Sequence, residues 1–384
     1  MNTLFFGAGA SVPFGIPTTP TLTEDTVNLL NAKNQPLLER IEQSHNEQWQ
    51  RKPNYEEILR YLTAYSSPAE LRNDDYALGF ANRNPQLKNE QAIRTLIDEI
   101  RSIVCNYCNQ PFIRGTDKYL EPHKLESTFQ STYDAAIGTY LFHEKPVTVF
   151  STNYDPSLEI WCQKRNIDCV DGTEKLSNIE VNKMLNETKH QEQIKERVTD
   201  KNYNAIGLVR LHGSIWAYEI NENLKVKFNT PSDIRMFSDL YQVTLKKKPC
   251  IIFPGQEENV SRGQWDTLYR YYKESLSGNC LFIGFSFRDE ALNRPILDRL
   301  QNGKIRKLGI LSPHPEKAAE NLLSGESRFS NNIVTMRGEF GKMDALEQLA
   351  SKWFWQTEGF GIRGGYYLSN EASDWRRKRE TYIT

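Results

Sequence analysis

Seven apolar runs of strand length punctuate the chain, at residues 4–6, 147–150, 206–211, 250–253, 280–283, 308–311 and 333–336. Most are continuous rather than alternating, the pattern of strands buried on both faces of a parallel sheet. Segments of helical character lie between several of them, at 262–277, 290–300 and 316–323. This strand–helix alternation predicts an α/β fold built on a doubly wound parallel sheet.

The spacing is uneven. Residues 20 to 145 contain no comparable strand and read as helices, clearest at 90–108 and 125–142, which predicts a large helical insertion after the first strand. A second excursion, 173–204, mixes Glu187, Lys189, Glu192, Lys195, Glu196, Arg197, Asp200 and Lys201 at spacings that suit an exposed, solvated helical arm. Residues 218–248 predict a hairpin and a short helix, and the tail carries Trp375-Arg376-Arg377-Lys378-Arg379. The division expected is a core of residues 1–20 and 145–340, a helical insertion at 21–144, a polar excursion at 173–204 within the core, and a C-terminal extension at 341–384.

The 384 residues suffice for two domains or one large decorated one. Lysine and arginine total 48 against 49 acidic residues, a formal charge of −1, so no global field draws the protein to DNA or to an anionic membrane. The basic runs at 246–248 and 376–379 are local and suit solvated surface or a subunit contact. Residues 1–7 lack the basic start and long apolar stretch of a signal peptide, which predicts a cytoplasmic protein. Six cysteines, mostly inside apolar segments, are expected as free thiols. Cys105 and Cys108 have no second pair at ligand spacing, so an inward helix face is expected there, not a metal site.

Four short motifs carry the candidate chemistry. Phe6-Gly7-Ala8-Gly9-Ala10-Ser11 follows the first strand, where a glycine turn admits a pyrophosphate or serves as a tight structural turn; Val12 stands where a third glycine is usual. Thr152-Asn153-Tyr154-Asp155 leaves the second strand, with polar groups suited to a ribose and an amide, or to a helix cap before Pro156. Arg210-Leu211-His212-Gly213-Ser214 ends another strand with a histidine, structural or proton-transferring, of ordinary pKa ~6.5. Gly284-Phe285-Ser286-Phe287 repeats the strand, glycine and serine design.

Taken in order, these motifs resemble the sirtuin (silent information regulator) superfamily. The counterparts of its motifs are Gly7 to Ser11, Gly15-Ile16-Pro17, Thr152-Asn153-Tyr154-Asp155, His212-Gly213, Phe253-Pro254-Gly255-Gln256 and Gly284-Phe285-Ser286, spread over residues 1–20 and about 145–312. The resemblance implies a Rossmann-like, sirtuin-like core that binds NAD. Two family features are missing. Residues 213–249 contain no cysteine where sirtuin deacylases carry a four-cysteine zinc ribbon, so no zinc site is expected there, and Thr18-Thr19-Pro20 follows Gly-Ile-Pro in place of Asp-Phe-Arg.

A zinc-free core with a large helical insertion is similar to the prokaryotic sirtuin-like NAD hydrolases of antiphage defence. The length, short of a complete added sensor domain, is similar to those that assemble with a HerA-type hexameric ATPase. The resemblance implies cleavage of NAD, as substrate, to nicotinamide and ADP-ribose in a homo-oligomer with that ATPase, DNA being met only indirectly or through local basic patches and membranes not at all. Carried over residue by residue, Asn153 holds the ribose or the attacking water, His212 is the general base and Asp155 binds the nicotinamide amide. Gly7, Ala8, Gly9, Ser11, Pro17, Thr152, Gly284, Ser286 and Ser312 line the rest of the NAD site. The alternatives are protein deacylation or ADP-ribosylation through the same cleavage, and NAD or ADP-ribose sensing without turnover.

Overall fold

The computed structural model describes residues 2–66, 75–175, 182–185, 187–199, 204–221, 224–229, 249–251, 264–323 and 327–360. Their strands, in chain order, are β1 (Asn2–Phe6), β2 (Val147–Ser151), β3 (Asp168–Val170), β4 (Thr173–Lys175), β5 (Asn182–Met184), β6 (Ala205–Arg210), β7 (Gly213–Asn221), β8 (Leu224–Lys227), β9 (Pro249–Ile251), β10 (Gly278–Ile283), β11 (Ile305–Ser312) and β12 (Ile333–Arg337). Seven of them form one parallel sheet in the order β12-β11-β10-β1-β2-β6-β3. The other five form an antiparallel sheet in the order β4-β5-β8-β7-β9.

Successive side chains of a strand point to opposite faces, so a continuously apolar strand serves two cores at once. In β1, Leu4 and Phe6 face one core and Phe5 the other. In β10, Leu281 and Ile283 join the first core, Cys280 and Phe282 the second. The helices between β1 and β2 share the first core with the sheet, and Tyr133 reaches β1 directly, its ring 5.4 Å from that of Phe6. Helices Gln264–Ser275, Glu290–Gln301 and Pro315–Leu323 contribute to the second core. Helices on both faces of a parallel sheet make a doubly wound, Rossmann-like fold.

The helices of residues 21–144, expected as an insertion after the first strand, pack their apolar faces on the sheet and share its first core. The core also runs past residue 340: helix Met343–Gln348 continues through Leu349–Glu358, and the wholly buried Trp353 donates to the Tyr140 hydroxyl at 2.8 Å. Gly309 makes room for that indole, since a Cβ there would lie 2.6 Å from the ring.

The described residues of 173–204 do not form the exposed arm expected. After β4 and β5, helix Glu187–Ile194 and its continuation bury His190, Ile194 and Val198, spaced four apart on one face, with Ile194 against Gly207. The run at 250–253 also lies elsewhere than expected, because β9 pairs with β7 in the antiparallel sheet. A short apolar run carries no information about its partner. The hairpin expected after 218 is β7–β8, whereas the short helix expected next, Phe253 to Gln256 and the basic runs at 246–248 and 376–379 lie outside the described residues.

Among the described residues no helix is long and apolar enough to cross a membrane, and no three His, Cys, Asp or Glu side chains group as a metal site. All six cysteines are free thiols.

Candidate active site at the carboxyl ends of the parallel strands

From β1 the sheet grows one way through β2 and β6 to β3, and the other way through β10 and β11 to β12. The crevice outside the carboxyl ends of the strands at such a reversal is where open α/β sheets bind ligands. The segments that leave β1, β2, β6 and β10 all emerge on this edge.

Backbone approach alone brings the β1 and β10 segments together. The Gly7 amide donates to Ile283 O at 3.0 Å, the Gly9 amide to Gly284 O at 2.9 Å and the Gly284 amide to Leu311 O at 2.9 Å. Gly284 has a left-handed φ of 64°, and a Cβ there would lie 2.3 Å from the Ala10 nitrogen. The glycines thus serve first as the close contact between two turns, with the short helix Ala8–Phe14 opening beside them.

Asn153 ties this contact to β2. Its Nδ2 donates to Gly7 O at 2.9 Å and to Ser11 Oγ at 2.8 Å. Ser11 in turn donates to Asp155 Oδ2 at 2.5 Å, and Asp155 Oδ1 accepts from the Ser157 amide at 3.0 Å. Asn153 is 8% exposed and Asp155 1%. Asn153 Oδ1 is buried and has no hydrogen-bond partner among the described residues, an arrangement that costs about 1–3 kcal/mol until a donor arrives.

Arg210, at the end of β6, holds the same turn from below. Its guanidinium donates to the carbonyls of Asn153 and Asp155, each at 2.7 Å, and pairs with Glu159. Lys227 on β8 bridges Glu159 at 2.8 Å and Asp171 at 2.6 Å. Burial opposes the charge of Glu159, but Arg210 and Lys227 outweigh it and hold the carboxyl down at about 2. Both cations are raised above their ordinary values: burial opposes their charge, and the carboxylates around them prevail.

His212 is buried just past β6, its ring centroid 6.4 Å from that of Tyr154. The next residue, Gly213, has a φ of 80°, and a Cβ there would lie 2.0 Å from the Cys250 carbonyl oxygen. His212 Nε2 faces Asp289 Oδ2 at 3.6 Å.

Of the residues singled out in the sequence, Gly7, Gly9, Ser11, Asn153, Asp155 and Gly284 form one contiguous network of hydrogen bonds and backbone contacts. Thr152 is half-buried, its amide donating to Phe6 O at 3.2 Å. Ala8 and Ser286 are exposed and Pro17 is half-buried, with no side-chain bond into the network. Ser312, half-buried at the end of β11, accepts from the His314 amide at 3.2 Å and stands apart from it. Glu159, Lys227, Asp171 and Asp289 were not anticipated. Each sits among other charged residues in its own segment, and only its pairing across the fold marks it out.

Residues 147–328 match the family model of the SIR2-like domain. No curated protein matches the chain. A sirtuin structure on the basis of sirtuin substrate affinity is 14% identical, over 91% of this chain and 93% of its own, with a TM-score of 0.36. A structure on the mechanism and regulation of Sir2 enzymes is 12% identical over 91% of both chains, with a TM-score of 0.36. A Sir2 homolog in complex with NAD is 12% identical over 89% of this chain and 86% of its own, with a TM-score of 0.35.

Proposed function

We propose that the protein hydrolyses NAD to nicotinamide and ADP-ribose. The observation that carries the reading is the buried amide oxygen of Asn153, without a donor, at the sheet's reversal and inside the SIR2-like match. Hydroxyls of a ribose, or a water beside it, are donors of the kind this oxygen lacks.

Nicotinamide departs from a cationic nitrogen, so bond breaking needs no general acid. What remains for the protein is to orient the ribose, place a water and take up the proton that water or a ribose hydroxyl gives up. Asn153 Oδ1 accepts from the ribose or the water, and His212 takes the proton. Asp155 fixes the rotamer of Asn153 through Ser11 and is assigned the nicotinamide amide, since each of its oxygens accepts one donor and keeps a second lone pair. Gly7, Gly9 and Gly284, with the start of helix Ala8–Phe14, form the wall for the phosphates. Ala8, Ser11, Pro17, Thr152, Ser286 and Ser312 border it.

The wider setting belongs to the same proposal: a cytoplasmic antiphage effector whose activity is controlled in a homo-oligomer with a HerA-type ATPase. Uncontrolled NAD cleavage would harm the cell that makes it, which calls for such control. The test is incubation of the purified protein with NAD, alone and with the ATPase, resolving products by chromatography. Equal release of nicotinamide and ADP-ribose is expected. Label transferred to protein, or NAD bound without products, contradicts hydrolysis.

A further inference from the structure

In the sheet order β10 and β6 stand three intervals apart, about 14 Å at ~4.8 Å per interval. Yet Asp289, after β10, and His212, after β6, approach to 3.6 Å. The two post-strand segments therefore converge across the carboxyl ends of β1 and β2.

The local backbone is shaped for this. Between β10 and helix Glu290–Gln301 the chain passes twice through left-handed conformation, at Gly284 with φ 64° and at Phe287 with φ 54°. For a phenylalanine that conformation costs roughly 1–3 kcal/mol. It is held by Asn293 Nδ2, which donates to Phe287 O at 2.7 Å, and by the rings of Phe282 and Phe285, 5.1 and 4.8 Å away. The strained turn delivers Asp289 to the helix N-cap, where Oδ1 accepts from the Leu292 amide at 3.3 Å. Capping uses one oxygen, and a serine or asparagine would serve as well. The second oxygen, Oδ2, is buried with no hydrogen bond among the described residues and has His212 as its ion-pair partner.

We propose that Asp289 is a positioning residue for His212, its carboxylate orienting the imidazole and stabilising the imidazolium formed when His212 takes up a proton. The inference rests on His212 being the base of NAD cleavage. A base oriented by a third group is the recurring logic of activated sites, in which the carboxylate keeps its charge and only the imidazole gains the proton. The 3.6 Å separation exceeds a hydrogen bond, and catalytic contacts of this kind run long without substrate and tighten on binding.

The decisive variant is Asp289→Asn, which keeps the shape and the helix cap and removes the charge. Its kcat for NAD cleavage should fall roughly 10- to 100-fold, the loss usual when a carboxylate that orients a working histidine is removed, with KM and Tm unchanged. Asp289→Ala should lose Tm as well, and Asp289→Glu should recover part of kcat. A readout free of turnover is the nitrogen NMR of histidine-labelled protein, with His212 assigned by His212→Gln. The His212 ring shifts should change in Asp289→Asn, and those of His45 and His190 should not. Wild-type kcat with unchanged His212 shifts overturns the proposal and leaves capping, which asparagine preserves, as the whole role; a Tm loss in Asp289→Asn equal to that in Asp289→Ala also overturns it, by making the charge a requirement of the fold instead of the base. If the wild-type chain cleaves no NAD, the functional reading fails by itself, and the ring shifts still decide the pairing.

Discussion

Ser11 and Asn153 stand 2.8 Å apart, the hydroxyl accepting from the side-chain amide while donating its own proton to Asp155. One small side chain after β1 thereby sets the direction of the amide after β2. With both amide protons spent on Gly7 O and Ser11 Oγ, the Asn153 oxygen has a single orientation.

Ser11→Ala removes the donor to Asp155 and the acceptor for Asn153 together. The buried carboxylate loses a partner, so a stability loss of about 1–3 kcal/mol is expected, with NAD cleavage reduced further than stability alone explains. Thermal melts and turnover on the same preparations check this. Full turnover by Ser11→Ala would show that the hydroxyl does not orient Asn153.

Gly284 and Gly303 have nearly the same left-handed φ, 64° and 65°, but only Gly284 is crowded: its Cβ would meet Ala10 N at 2.3 Å, whereas nothing lies within 4 Å of one at Gly303. Gly284→Ala should therefore lower Tm well beyond Gly303→Ala and abolish the thermal shift produced by NAD. Equal melts of the two variants would mean that backbone conformation, not the approach of the β1 and β10 segments, sets the cost.

Acid stability should decline in two stages. Burial keeps His45 and His190 below the ordinary histidine value, against opposing pulls from Glu57 and Asp171. The unfolded chain then binds more protons below ~6.5, and stability falls with pH from there. Glu159 is depressed to about 2 by Arg210 and Lys227 against the effect of burial. Its contribution is complete above the unfolded carboxylate value of ~4.3 and is lost as pH drops from there toward the folded value of about 2. Glu159→Gln should reduce the lower stage to the part that Glu57, also depressed, contributes and should keep the upper one, which carries two histidines, as read from denaturant unfolding between about pH 2 and 8. A lower stage of undiminished size in the variant would place its origin elsewhere.

Arg210→Met leaves Glu159 buried beside Lys227 alone and frees the carbonyls of Asn153 and Asp155. Breaking a buried pair from one side costs about 3–5 kcal/mol, so a large drop in Tm is expected. Arg210→Met with Glu159→Gln should recover part of it, because the stranded charge is gone. A double variant no more stable than the single one would locate the cost in the lost carbonyl contacts.

The central sheet was legible because six of its strands are continuously apolar and need no partner information to be recognised. β3, a three-residue edge strand, is too short to leave a pattern, and the run that forms β9 reads like a strand of the parallel sheet because apolarity names no neighbour. The buried face of helix Glu187–Ile194 and its continuation Lys195–Thr199 rests on His190, Ile194 and Val198 within a field of charges, a signal carried by spacing and masked by composition. At the site, motifs flagged the residues that touch one another through backbone turns. Arg210, Glu159, Lys227 and Asp289 act through long-range pairing, and a phenylalanine at 287 gives no hint of the left-handed turn that aims Asp289.

The most direct measurement is NAD cleavage by Asn153→Ala and His212→Ala beside the wild-type chain, each with its Tm. The expected result is nicotinamide and ADP-ribose from the wild type and a loss of ~10²–10⁴-fold in His212→Ala, the usual contribution of a positioned proton-transfer group. Asn153→Ala should be similarly impaired, and both variants should melt close to the wild type. Full turnover in either variant at an unchanged Tm contradicts the assignment of this crevice as the place where NAD is hydrolysed.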